Sequence, residues 1–206
     1  MLERLTEVEG TVLDRDTYLS DFWQRATDLG GLFWKFERRQ TFSEPDNPSW
    51  TAMERGDDEE AVRLAEASWP AMVEQMTTEP FEEPRRVRVI EEPFTPYIRW
   101  QLFRLTQWAR LGEKVRLLPA ATIRPLEPAG TLPEVTVIAG QVAYEVLYDE
   151  RGSLTGARRF TDGDVVEACV NEIEALWEKA EDLAAFTARR PDGALATSLG
   201  TGNALK

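Results

Sequence analysis

The stretch from Arg85 to Pro119, RRVRVIEEPFTPYIRWQLFRLTQWARLGEKVRLLP, sets the fold class of this chain. Arg86–Ile90 alternates, with Val87 and Val89 pointing one way and Arg86 and Arg88 the other, which is the period of a strand. Pro93 and Pro96 follow, and proline suits the first turn of a helix. The spacing of Ile98, Leu102, Leu105 and Trp108 or Ala109 predicts a helix running to about Leu111. Gly112 ends it, and Lys114–Pro119 reads as a second strand. A strand, a helix of about four turns and a strand make a βαβ unit, which implies parallel pairing through a right-handed crossover.

Downstream, a proline-rich loop from Pro119 to Pro133 leads into three strands, Glu134–Ala139, Gln141–Tyr148 and Leu154–Phe160. Ala139-Gly140 and Glu150–Gly152 supply the hairpin turns. Asp162 and Asp164 open a closing helix read from Val165 to about Arg189, with Val166, Val170, Ile173, Leu176 and Trp177 on its apolar face. The small, polar segment Pro191–Lys206 reads as a disordered tail.

Upstream, Asp21–Leu29 reads as a short helix stopped by Gly30-Gly31. From Leu32 to Phe42 the residues alternate, with Leu32, Trp34 and Phe36 on one side of a strand and Phe33, Lys35 and Glu37 on the other. Asp57 with Glu60 has capping-box spacing, so a helix starts there. Pro70 divides it, and a second helical piece starts near Ser68. The expectation is an α/β fold: a βαβ unit plus antiparallel strands in one mixed sheet with flanking helices. Residues 1–84 form an N-terminal helical and strand layer on a main domain of residues 85–190, with 191–206 as the tail.

Composition bounds the chemistry. Apolar residues make up 42% of the 206, enough for a real core, and the formal net charge is −13. Such a charge repels phosphate backbones and anionic membranes, so neither nucleic acid nor membrane is an expected direct partner. The charge is segregated: Glu54–Glu83 holds ten acids against Arg55 and Arg63, and Arg85–Arg124 holds nine bases against three acids. The basic middle either neutralises its acidic flanks or lines a pocket for a small anionic ligand. The N-terminus is charged and no run approaches a membrane span, which with a single cysteine, Cys169, points to a cytoplasmic protein.

There is no histidine, which removes Ser-His-Asp and Cys-His machinery and imidazole metal ligands. No P-loop or dinucleotide fingerprint occurs, and no cofactor or metal is expected. What remains is carboxylate chemistry, arginine binding and aromatic packing. The candidate ligand-binding residues are Glu37, Arg39, Arg88, Glu91, Tyr97, Arg99 and Arg116. Ligands of parallel sheets collect beyond the carboxyl ends of the strands, where Glu91, Tyr97 and Arg99 would sit with Arg88 nearby. The competing reading pairs these acids and arginines with one another inside the fold. Trp69, Trp108 and Trp177 read as core, whereas Trp23, Trp34, Trp50 and Trp100 are candidates for a pocket or interface.

The series Phe33–Trp34–Lys35–Phe36–Glu37–Arg38–Arg39–Gln40, Glu44-Pro45, Arg86–Pro93, Tyr97, Arg99, Gly112-Glu113 and Arg116–Pro119 resembles an uncharacterised actinobacterial family, over roughly Asp21 to Ala188. Members of that family are often encoded beside XRE-type helix-turn-helix regulators. The second half also resembles a degenerate phospholipase-D-like half-domain whose H-x-K motif would fall near Glu134–Gln141, where neither histidine nor lysine occurs. The resemblance implies a non-catalytic ligand-sensing or protein-binding accessory of such a regulator. The alternative is a small histidine-free biosynthetic or hydrolytic enzyme, using Glu37 or Glu91 as base and Arg88, Arg99 or Arg116 as anion clamp.

Overall fold

The βαβ unit forms as its alternation requires, and the rest of the chain is arranged around it. The structure is a computed structural model and describes residues 1–190; the tail read over 191–206 lies outside the described residues. In chain order the elements are a 3₁₀ turn (Leu2–Glu7), β1 (Thr11–Asp14), α1 (Arg15–Leu29), β2 (Leu32–Glu37), α2 (Pro48–Glu54), α3 (Asp58–Ala67) and α4 (Trp69–Thr78). Then come β3 (Glu83–Ile90), α5 (Pro96–Arg110), β4 (Lys114–Pro119), α6 (Ala120–Ile123), a second 3₁₀ turn (Arg124–Leu126), β5 (Glu134–Ile138) and β6 (Val142–Tyr148). The last described elements are β7 (Leu154–Phe160), α7 (Gly163–Lys179), β8 (Glu181–Asp182) and α8 (Leu183–Arg189).

All eight strands lie in one mixed sheet, in the order β1-β7-β6-β5-β2-β3-β4-β8. The strands β2, β3 and β4 run parallel, and the remaining neighbours pair antiparallel. The first 84 residues therefore supply an edge strand and a central one, besides α1 to α4. On one face, Trp34, Phe36, Val87, Val89 and Val137 pack under the apolar stripe of α7, with Leu2 and Leu5 filling the corner. Cys169 is part of that stripe and fully buried, and burial pushes its thiol up to about 11, which removes it as a nucleophile.

The other face is covered in two separate patches. At one end, Tyr18, Phe22 and Ala26 of α1 seat on Ile138, Val142 and Tyr144. At the other, Ile98, Leu102 and Leu105 of α5, with Leu183 and Phe186 of α8, seat on Ile90, Val115 and Leu117. The helices α2 and α3 pack on α5 rather than on the sheet, through Trp50, Ala61 and Ala65 against Tyr97, Trp100 and Phe103. The middle of this face is left to polar side chains.

Four readings of the sequence are corrected. The helix expected from Asp21 begins at Arg15, because the Asp14 carboxylate accepts from the Thr17 N–H and caps it there. The stretch after Asn47, for which no element is read, forms a helix, α2, with Asn47 as its cap and Pro48 in its first turn. The strand expected to reach Phe42 stops at Glu37, since the backbone N–H groups of Arg38 and Arg39 turn aside to donate to the Glu134 carboxylate at 2.9 and 2.5 Å. The closing helix breaks at Ala180, whose backbone is extended. There Glu181 and Asp182 pair with Leu117 and Arg116, covering the outer edge of β4, and Asp182 then caps α8.

Candidate functional site

The polar centre of the sheet follows from alternation on three adjacent strands. On β2, Phe33, Lys35 and Glu37 share a face. Register places Thr136 of β5 and Arg86 of β3 on either side of Lys35, and Arg88 beside Glu37. Glu134 lies two residues from Thr136 on the same face of β5. Two rows of charged and hydroxyl side chains thus cross the middle of the sheet between the patches covered by α1 and α5.

The deeper row is closed. Arg88 has no exposed surface. Its guanidinium donates to Gln101 Oε1 at 2.6 Å and to the carbonyl oxygens of Glu37, Val89 and Arg39 at 3.1, 3.0 and 2.5 Å. Glu37 Oε1 accepts from Arg86 at 2.7 Å and faces Lys35 Nζ at 2.9 Å, while Oε2 accepts from Gln101 at 3.2 Å. Burial pushes the Glu37 carboxyl up, but Arg86, Lys35 and Arg88 together outweigh it and hold it well below the usual carboxylate range. The remaining fork of Arg86 donates to Glu113 at 2.6 Å. Burial works against that guanidinium too, and its two carboxylates more than offset it.

Glu134 is the exception. Its Oε1 takes both backbone donors described above, and its buried Oε2 has no hydrogen-bond partner. Burial, reinforced by the charge of Glu37, pushes its carboxyl up to about 7, against the pull of Arg88. Because the folded-state pKa is raised, this carboxyl stabilises the fold fully below its ordinary value near 4.5, and that contribution is lost as pH rises towards 7. The span corresponds to about 3 kcal/mol. Glu134→Gln keeps the carbonyl acceptor and removes the titration. In urea unfolding the variant should show a flatter stability profile between pH 4.5 and 7, and should exceed wild type at pH 8 by about 1–3 kcal/mol. A profile parallel to wild type would place the titration elsewhere.

The shallower row opens into a cleft of about 300 Å³ between α1 and α4, with Lys35, Thr136, Arg86 and Glu113 on its floor. Its walls are Tyr18, Phe22 and Trp23 of α1, Met76 of α4, Phe81, Trp108 and Tyr148. Phe33 and Phe81 stack at 4.4 Å between ring centroids, and Phe22 meets both edge-on. A smaller recess of about 190 Å³ adjoins it across Lys35 and Tyr148, and is lined by Glu37, Glu44 and Tyr97.

The seven residues singled out in the sequence do not converge. Glu37 and Tyr97 share the small recess, where the Tyr97 hydroxyl donates to Glu44. Arg88 is enclosed behind them. The Arg39 guanidinium lies over the Tyr148 ring at 5.6 Å. Arg99 is on the outer surface of α5, 3.2 Å from Asp58. Arg116 projects from the opposite face of the sheet, over the Trp177 ring at 4.4 Å. Glu91 does lie beyond the carboxyl ends of β3 and β4, in a crevice of about 260 Å³ with Arg124, Glu181, Arg189 and Arg190. Each of those arginines faces a carboxylate: Arg124 faces Glu91 at 3.8 Å, Arg189 faces Glu181 and Arg190 faces Glu92.

Lys35, Thr136, Phe22 and Phe81 were missed. The available signal was Lys35 itself, a lone cation on the Phe33 side of an aromatic strand. Trp108, read as core, is half-buried and lines the cleft, and Trp23 is 43% exposed at its wall. Trp34, Trp50 and Trp100 are buried. Among the described residues no group of three or more Asp, Glu or Cys is placed to hold a metal ion, and no helix is long and apolar enough to cross a membrane.

These features define a mixed α/β protein whose eight-stranded sheet carries helices on both faces and a charged strip at its centre. Over residues 20–188 the chain matches one family model, and it belongs to that family, described as Domain of unknown function (DUF6879). Comparison with curated proteins finds no match. Among solved structures it is similar to Nuc, a phospholipase D family member from Salmonella typhimurium, at 11% identity and a TM-score of 0.48, over 84% of this chain and 98% of that one. It is also similar to TrmBL2, an archaeal chromatin protein, at 12% identity and a TM-score of 0.39, over 85% of this chain and 55% of that one.

Proposed function

We propose that this chain is a non-catalytic, cytoplasmic ligand-sensing accessory of an XRE-type helix-turn-helix regulator, and that the cleft between α1 and α4 is its ligand site. One observation carries the reading: the carboxylates nearest the cleft, Glu113 on its floor and Glu37 in the adjoining recess, are already held by Arg86 and its neighbours. A general base needs a free lone pair, a pKa near the working pH and access to substrate; Glu134 has the first two, but it is buried and lines neither the cleft nor the recess. Glu37 has neither of those two, since three cations surround it and keep it ionised. Glu91 is close to two arginines and half-exposed. The arginine clamp of the enzyme alternative is spread over two faces of the sheet, so that reading has less support.

The regulator enters through the resemblance to an actinobacterial family encoded beside such proteins. A basic partner surface suits the acidic flanks of this chain, because complementary charge speeds and orients association. The test is capture of a co-expressed XRE-type regulator at micromolar concentration, with and without a small-molecule extract of the host, alongside native mass spectrometry of the purified chain. Association that the extract shifts, with a small mass retained on the chain, is the expected result. No association in either condition overturns the regulatory role, and steady turnover of an extract component overturns the non-catalytic one.

A further inference from the structure

The floor of the cleft offers more hydrogen-bond donors than acceptors. Thr136 is 4% exposed, and its Oγ1 makes no hydrogen bond of normal geometry, with the Tyr18 phenol as a polar neighbour. Beside it, Lys35 spans to Glu37 at 2.9 Å, which occupies one of the three protons of its ammonium group. Tyr18 adds a phenol that burial keeps protonated, its pKa pushed up to about 12 although the neighbouring Thr136 hydroxyl opposes the shift. The carboxylates nearby are each engaged: Glu37 by Arg86, Lys35 and Gln101, Glu113 through one oxygen by Arg86, and Glu79 at the rim through one oxygen by Gln75 at 2.7 Å. A ligand that completes the Lys35 and Thr136 end of this floor therefore brings acceptors, and the Lys35 ammonium protons not engaged by Glu37 favour a negative one.

The walls dictate the rest of the molecule. Phe22, Phe81 and Trp108 line the cleft with aromatic surface, which suits a flat apolar body. A volume of about 300 Å³ stands at the small end of ligand sites, room for one or two fused rings and a single polar head. We propose that the cleft takes a small aromatic carboxylate, its rings among Phe22, Phe81 and Trp108 and its carboxylate on Lys35 and Thr136. This rests on the cleft being the ligand site of the preceding section.

Isothermal titration of the full chain with 2-naphthoate, and with 2-naphthamide and 2-naphthylmethylamine as matched neutral and cationic probes, tests the proposal. The carboxylate should bind about tenfold or more tighter than either control. Lys35→Met should reduce naphthoate affinity about tenfold, and Thr136→Val severalfold, while leaving naphthamide affinity nearly unchanged. Thr136→Val preserves shape and removes only the hydroxyl, so the prediction stands even if Lys35→Met misfolds. Equal affinity for the three probes, or preference for the amine, overturns the carboxylate class and leaves the cleft as the ligand site. No binding of any probe at millimolar concentration, by a chain that also retains no small mass, overturns both.

Discussion

Replacing Arg88 with methionine should lower the stability of this fold by about 3–5 kcal/mol, the usual consequence of removing one partner from a buried charged network. The guanidinium is fully enclosed and satisfies three carbonyl oxygens and Gln101 at once. Two of those carbonyls, of Glu37 and Arg39, belong to the segment where the chain leaves β2. Methionine fills the volume and returns none of the hydrogen bonds, so the exit of β2 loses its anchor on β3. For a chain of this length the loss should appear as a fall in Tm of about 6–20 °C, with the urea midpoint shifting in the same direction. Arg99→Met, on an exposed pair with Asp58, should change stability by under about 1 kcal/mol. Similar small effects at both positions would mean that Arg88 is free to serve a ligand instead.

Trp177→Ala should cost about 3–5 kcal/mol as well, by the different mechanism of an unfilled core volume. Trp177 is 7% exposed and meets the Trp34 ring edge-on at 5.4 Å, with the Arg116 guanidinium over its face at 4.4 Å and that of Arg85 at 5.8 Å. Truncation removes the ring from the α7 layer and strips both cations of an aromatic surface. This layer lies on the face of the sheet opposite the cleft. Once the variant is confirmed folded, naphthoate affinity should therefore match wild type in the same titration. A parallel loss of affinity would show that the two faces are coupled through β2, whose Trp34 and Lys35 point in opposite directions.

These outcomes separate what each side chain does from where it stands in the chain. Arg88 and Arg116 looked equivalent in the sequence, as basic residues on neighbouring parallel strands. Strand alternation puts them on opposite faces, and only the covering helices decide what each one meets. Glu37 and Lys35 were legible as sharing a face of β2, which is a property of the local period. That Arg86 would saturate Glu37 depended on the register of β3 against β2, set by contacts 49 positions apart. The cleft residues Phe22, Phe81 and Thr136 come from α1, the α4–β3 connection and β5, and no local pattern links them.

The chain's own short-range chemistry determined the βαβ unit, the two hairpins and the starts of α3 and α7, because period, proline, glycine and capping carboxylates act over a few neighbouring residues. It also removed imidazole chemistry outright. Tertiary structure alone decided that β2 lies between β5 and β3, that the last helix breaks so that Glu181 and Asp182 can cover the edge of β4, and that a polar strip remains open between α1 and α5. Those outcomes turn on which surfaces meet, and the free energy of burying them depends on residues far apart in the chain.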